Sequence, residues 1–440
     1  MSHHDDRFFP VPAHLLVRGA VGLVGELRLI VKGQGTISFV GAEREPFGVT
    51  LGAPDLRDSP AFRWDVGHNA VTLWQRTKGD WRRLRVFAGQ NVGLDPDEGC
   101  RYWFSIDSHN RRLAYGKGEM RLATRIASYD LAPATPEGGD EHRWLSQLDC
   151  VHVAPPIVQS ADVWRDPVTT DPPMRIVPSN RITMSDVAEC SVTVVENLTT
   201  ACQRLYANVA GEQFVLDSPD FPEFSQAIQE SIDNVDGWCH QTLMAKATEF
   251  GPPDPDRTYL RITMGINQGE SPGIPFVMEI WPGGHFSPIH NHGGADAVIK
   301  VLHGEICVSL YRMLSSFHQE PFERISFAAG EVTWITPRLN QTHMLRNEMA
   351  DACVTIQCYT YPESDTTHYP YFDYLDRTGI AQFIPGSDME FLAFKARMKE
   401  EWARRLTSRV VSGQPGETGE ADHAWMQAAD GHQGGWPARR

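Results

Sequence analysis

Between about residues 12 and 128, apolar and aromatic positions fall in short runs separated by turn residues. Glu26-Leu-Arg-Leu-Ile-Val31, Thr36-Ile-Ser-Phe-Val40, Ala70-Val-Thr-Leu-Trp74, Leu84-Arg-Val-Phe-Ala88, Arg101-Tyr-Trp-Phe-Ser-Ile106 and Arg112-Leu-Ala-Tyr115 are the clearest. Residues 14–18 and 120–126 read the same way. Several runs alternate apolar with polar, as strands with one buried face do. Asp107-Ser-His-Asn110 supplies a hairpin turn. Many short strands at this spacing predict a β-sandwich over residues 1–130.

The pattern then changes. Residues 131–205 carry Pro, Gly and charge and read as a linker and connecting segment, although Val192, Val195, Leu198 and Cys202 recur at helical spacing within 185–210. Phe224, Ile228 and Ile232 stack at steps of four behind Pro222, which predicts a helix, and a second amphipathic run follows over 238–250. Strand-like runs return at 259–263, 275–281, 297–302, 305–311, 325–327, 332–335 and 352–361, with Gly304, Gly330 and Asn340 at turns. A jelly-roll barrel protects that many strand edges. The expectation is a mainly β chain: the sandwich, then a barrel domain over 206–405 with helices on its outside, then a disordered tail over 406–440.

A chain of 440 residues is too long for one ordinary core. The net charge of -16, from 40 basic against 56 acidic side chains, argues against nucleic acid or an anionic membrane as the main partner. The N-terminus shows no secretory pattern, and no run reaches about 18 apolar residues. The eight cysteines form no C-x-x-C pair, so reduced thiols in the cytoplasm are expected.

Chemistry concentrates in Trp281-Pro-Gly-Gly-His285-Phe-Ser-Pro-Ile-His290-Asn-His292. Histidines one residue apart point to one side if the segment is extended, and two imidazoles so placed can share a metal ion. Thr342-His343 offers a third ligand. The spacing of Gly284, His290, His292 and Gly304, and of Gly330, Pro337, His343 and Asn347, resembles the two cupin motifs, with Ala297 where the first motif has glutamate. Three neutral imidazoles leave the metal charge uncompensated by the protein, which favours an anionic substrate ligand such as a thiolate.

Trp281-x-x-Gly284-His285-x-Ser287-x-Ile289-His290-x-His292 and Lys300-Val-Leu-x-Gly304 further resemble the type I cysteine dioxygenase family, over roughly residues 220–400. The resemblance implies a cupin thiol dioxygenase with Fe(II) held by His290, His292 and His343, adding O2 to the sulfur of cysteine or a related carboxylate-bearing thiol to give a sulfinate. It makes Tyr259 and Arg261 substrate-binding residues, the guanidinium gripping a carboxylate bidentately. It makes Tyr359 an active-site hydroxyl, with Gln357 orienting it where the family has histidine. Ala297 stands where animal members carry a cysteine that crosslinks to the tyrosine. Thr355, Gln357 and Tyr359 step by two and share one face, expected to be the barrel interior. Pieces of the N-terminal segment (His68-Asn-Ala-Val-Thr-Leu73, Val86-Phe-Ala-Gly-Gln-Asn91, residues 101–118) resemble the modules named after farnesoic acid O-methyltransferase, which implies a binding role for a ligand or partner. The expected partners are otherwise a small-molecule thiol and O2. Two other readings stay open: a cupin metalloenzyme acting on another sulfur compound or as an isomerase with Zn, Ni or Mn, and a non-catalytic metal-binding sensor.

Overall fold

The computed structural model describes residues 26–412, apart from 42–44, 54–58, 78, 98, 133–141, 156–157, 265–275, 338, 340 and 362–371. Two sheets form the N-terminal sandwich. One has six strands in the order β1 (Glu26–Arg28), β10 (Cys150–Ala154), β3 (Phe47–Gly52), β4 (Ala61–Val66), β5 (Ala70–Arg76) and β6 (Trp81–Ala88). The other runs β11 (Val158–Trp164), β2 (Gln34–Gly41), β7 (Arg101–Asp107), β8 (Arg112–Lys117) and β9 (Arg125–Asp130). Phe39, Phe47, Phe62, Trp64, Phe104 and Tyr115 fill the space between them. The hairpin expected at Asp107 joins β7 to β8, and the Asn110 backbone N–H donates to the Asp107 carboxylate at 2.9 Å.

Several expectations need correction. Residues 131–205 are not a linker, because β10 and β11 complete the two sandwich sheets and the next two strands join the barrel. Of the run expected over 120–126, residues 120–124 are not strand. Arg121 is buried there, its Nε donating to Glu119 at 2.7 Å and its Nη1 to the Pro172 carbonyl at 3.1 Å, and β9 begins only at Arg125. The helix expected over 185–210 is two helices, each with its own cap. Thr183 and Asp186 form a capping box for α1 (Met184–Glu189), Cys190 ends it in a left-handed conformation, and Thr199 caps α2 (Thr200–Val209). Residues 14–18 and Asn340 lie outside the described residues.

The C-terminal unit is a jelly-roll barrel. Its larger sheet has eight strands in the order β13 (Val192–Val194), β12 (Arg175–Val177), β19 (Val332–Ile335), β16 (Asp296–His303), β21 (Cys353–Thr360), β15 (Phe276–Trp281), β14 (Leu260–Thr263) and β24 (Met389–Glu390). Facing it are β18 (Glu323–Ala328), β17 (Glu305–Leu310) and β20 (His343–Arg346), beside a hairpin of β22 (Phe372–Leu375) and β23 (Ile380–Phe383). Helices α2, α3 (Phe224–Asp233), α4 (Trp238–Ala245) and α5 (Phe391–Ser412) cover the outside of the large sheet. Alternation sorts its residues: Ile262, Met278, Ile280, Val354 and Ile356 lie under Phe224, Ile228 and Phe394. Helix α5 runs to Ser412, so residues 406–412 are not a tail; residues 413–440 lie outside the described residues. No helix among the described residues is long and apolar enough to cross a membrane.

The connection between β17 and β18 docks on the sandwich. His318 Nε2 lies 2.8 Å from the Asp95 carboxylate, which also pairs with Lys117 at 3.4 Å. The Ser316 backbone N–H donates to Asp97 at 2.9 Å, and the Glu119 N–H to the Arg312 carbonyl at 2.9 Å. Gly118, with φ of +74°, lies so close to Arg312 that an added Cβ would sit 1.9 Å from its carbonyl oxygen, so the contact requires glycine. Lys117 and Asp95 are both excluded from water. Asp95→Ala strands that ammonium, and we expect a loss of about 3–5 kcal/mol of unfolding free energy. A urea titration checks it; a midpoint equal to wild type would show that the charges do not depend on each other.

Candidate metal centre

His290 and His292 lie in an irregular extended segment rather than on a ladder strand. One local bridge sets their position. The His290 N–H donates to the His343 carbonyl and the His343 N–H to the His290 carbonyl, both at 3.0 Å. The rings therefore meet: the three centroids are 4.8 to 4.9 Å apart, and His292 Nε2 lies 3.0 Å from His343 Nε2. One nitrogen of each of the three rings lies within 4.8 Å of the others, and all three residues are buried.

The protonation pattern suits a metal. His290 Nδ1 sits 2.9 Å from the Pro288 carbonyl, the contact by which an N–H donor leaves Nε2 with its lone pair for a ligand. The buried Nδ1 of His292 has no protein partner. Burial pushes His290 down to about 4, and burial with the neighbouring imidazoles pushes His292 and His343 well below the usual histidine range. Neutral rings with two Nε2 atoms 3.0 Å apart need a shared proton or a cation between them. No carboxylate or thiol joins the three histidines among the described residues. The group can hold a metal ion, and three imidazoles suit Fe, Zn, Cu or Ni.

The surroundings fix the ligand segment. Gly284, with φ of +83°, turns the chain after Trp281, and its N–H donates to the Asn347 carbonyl at 2.9 Å. The Asn347 side-chain amide donates to the Trp281 and Asp351 carbonyls, both at 2.8 Å, which ties the ends of the two motifs together. His285, inside the first motif, stands outside the trio; its Nδ1 lies 3.0 Å from the Thr258 carbonyl. Strand β22, which has no clear sequence signal, adds the Asn291 N–H to Asp373 carbonyl bond at 3.0 Å and sets Phe372 edge-on to His292 at 4.9 Å.

Along the barrel interior a polar series runs to the same histidines. Arg261 and Glu279 are cross-strand partners, and Arg261 Nη1 donates to Glu279 Oε1 at 2.7 Å. The Gln357 amide donates to the other Glu279 oxygen, and the Tyr359 hydroxyl donates to the Gln357 carbonyl oxygen. The Tyr359 ring stacks on His292 with centroids 5.6 Å apart. Thr355, Gln357 and Tyr359 thus share the interior face, and Thr355 accepts from the Trp281 indole at 3.3 Å. Burial, and next the charge of Glu279, push the Tyr359 phenol well above its ordinary value. Burial raises the Glu279 carboxyl while Arg261 opposes that rise. A small apolar cavity lined by Ile299, Val301, Ile306 and Val308 reaches His343 and Gln357.

Two expected roles meet a different geometry. Arg261 does not present an open fork to a substrate carboxylate: Nη1 holds Glu279, Nε donates to the Gly386 carbonyl at 3.1 Å, and its backbone N–H donates to Asp388 at 2.7 Å. Tyr259 is packed between Phe250 and Trp281, with its ring 4.2 Å from Trp281, in the core rather than at the trio. Ala297 is buried directly opposite Tyr359 on β16. Glu279 escapes sequence reasoning, yet a signal exists: it is the one charge in the apolar run 276–281, and a buried charge needs a partner.

No family model matches the chain. Among solved structures, sheep galectin-11 is 10% identical over 33% of this chain and 99% of that protein, with a TM-score of 0.25. A sugar phosphate isomerase of the cupin superfamily from Silicibacter pomeroyi is 15% identical over 26% of this chain and 70% of its own, with a TM-score of 0.16. A double-stranded β-helix protein from Klebsiella pneumoniae is 15% identical over 27% and 90%, with a TM-score of 0.19.

His343→Ala removes one of three donors and is expected to abolish metal retention through gel filtration while leaving the sandwich folded; full metal content in the variant would misassign the third ligand. Because the imidazoles stay neutral to unusually low pH, protons compete weakly. Metal content after dialysis should be flat from pH 8 to 5 and fall only toward about 4, where His290 protonates. Release between pH 6 and 7, as for exposed histidines, would contradict this.

Proposed function

We propose that the protein is an Fe(II)-dependent thiol dioxygenase, converting a thiol and O2 into a sulfinate. The observation that carries this reading is a set of three buried, neutral imidazoles joined by no protein carboxylate among the described residues. The compensating negative charge must then come from outside the chain, and a thiolate supplies it. Iron held by His290, His292 and His343 would supply the redox chemistry that couples O2 to sulfur.

The stoichiometry closes without a reductant. In R–SH + O2 → R–SO2H the O–O bond breaks and two S–O bonds form. Sulfur gives up four electrons, the two oxygen atoms accept them, and the proton stays with the product. The chain's own residues orient and enclose. Tyr359 stays protonated, because burial and Glu279 raise it, so it is a donor rather than a base. Its hydroxyl is held by Gln357, and its ring stacks on His292. The apolar wall of Ile299, Val301, Ile306 and Val308 limits water beside His343.

Anaerobic loading with Fe(II), followed by O2 uptake against a panel of small thiols, tests the reading. The expected result is one O2 consumed per thiol, with a sulfinate two oxygen atoms heavier by mass spectrometry. Absence of thiol-dependent uptake would end it. Tyr359→Phe should retain iron and lose roughly 10²-fold in kcat; wild-type turnover would remove the hydroxyl from the chemistry.

A further inference from the structure

Among the described residues, Arg261 is the one fully buried Lys or Arg of the barrel; Arg76, Lys117 and Arg121 belong to the sandwich. It already has an anion of its own. Glu279 lies opposite it on the neighbouring strand, 2.7 Å away, and both residues are excluded from water. The second Glu279 oxygen is committed to the Gln357 amide. The small cavity that reaches Gln357 is lined on one side by Ile299, Val301, Ile306 and Val308, which carry no charge.

We propose that Glu279 sets the substrate class of the metal site: by occupying Arg261 from within, it directs the site toward thiols that carry no carboxylate. This rests on the thiol reading above. A substrate carboxylate that reached the guanidinium would have to share it with Glu279, which already holds Nη1, while Nε is held by the Gly386 carbonyl. Two carboxylates would then share one cation in a dry interior, and a buried anion that loses its partner is strongly disfavoured. A thiol ending in an amine or a hydroxyl requires no such sharing. The pair also adds no net charge beside the imidazoles, so the thiolate remains the one anion the metal calls for.

The test reads binding rather than turnover. Protein loaded with Co(II) under argon is titrated with 3-mercaptopropionate, cysteamine and 2-mercaptoethanol, which share a two-carbon chain and differ at the far end. The sulfur-to-cobalt absorption band reports each affinity. Wild type should bind cysteamine and 2-mercaptoethanol about tenfold or more tightly than 3-mercaptopropionate. Glu279→Gln frees the guanidinium and should shift the ranking toward 3-mercaptopropionate by about tenfold, a gain that a second change, Arg261→Met, removes. Wild type preferring 3-mercaptopropionate, or Glu279→Gln leaving the ranking unchanged, would overturn the proposal while the thiol reading stands. A failure of all three thiols to raise the band would overturn both. If Glu279→Gln does not fold, the wild-type ranking alone decides.

Discussion

Two backbone hydrogen bonds, exchanged between His290 and His343, hold the three-histidine cluster together. They join segments far apart in sequence at the residues whose side chains must meet. A backbone bridge of this kind fixes both Cβ directions at once, so ring convergence does not depend on long flexible contacts. The Asn347 amide and strand β22 then hold the two segments from either side. Without that bridge the imidazoles would be three ordinary buried histidines.

The second constraint is the period of two along β14, β15 and β21. It sends Ile262, Ile280 and Ile356 under the helices and Arg261, Glu279 and Gln357 into the barrel. Burying an arginine and a glutamate together is tolerable because each pairs with the other, while the Gly386 carbonyl and the Gln357 amide each add a hydrogen bond. The same alternation therefore builds both the helix-packed outer core and the polar interior.

Much of this was legible in the chain, for reasons that differ by region. The three histidines could be read as one group because their spacing follows the motif residues around them, and the structure brings their rings together. The interior face of β21 could be read because Thr355, Gln357 and Tyr359 alternate with Val354, Ile356 and Cys358. The fate of Arg261 could not, because its partner Glu279 is remote in sequence and joined to it only through strand register. The strands β3, β4, β10 and β11 were hidden for a similar reason. Val49, Leu51, Phe62 and Trp64 are interspersed with Gly and charge, and β10 and β11 follow a Pro- and Gly-rich stretch that reads as connection. Local composition describes turns well; it does not say which sheet edge a returning strand will complete.

Strands β12 and β13 come from the segment that follows the sandwich, and they cover the flank of β19. A barrel excised at residue 206 would therefore begin with β19 as a raw sheet margin, its unpaired amides and carbonyls open to pairing with another molecule. The barrel is not a detachable module, and a fragment boundary that respects the fold falls before residue 175.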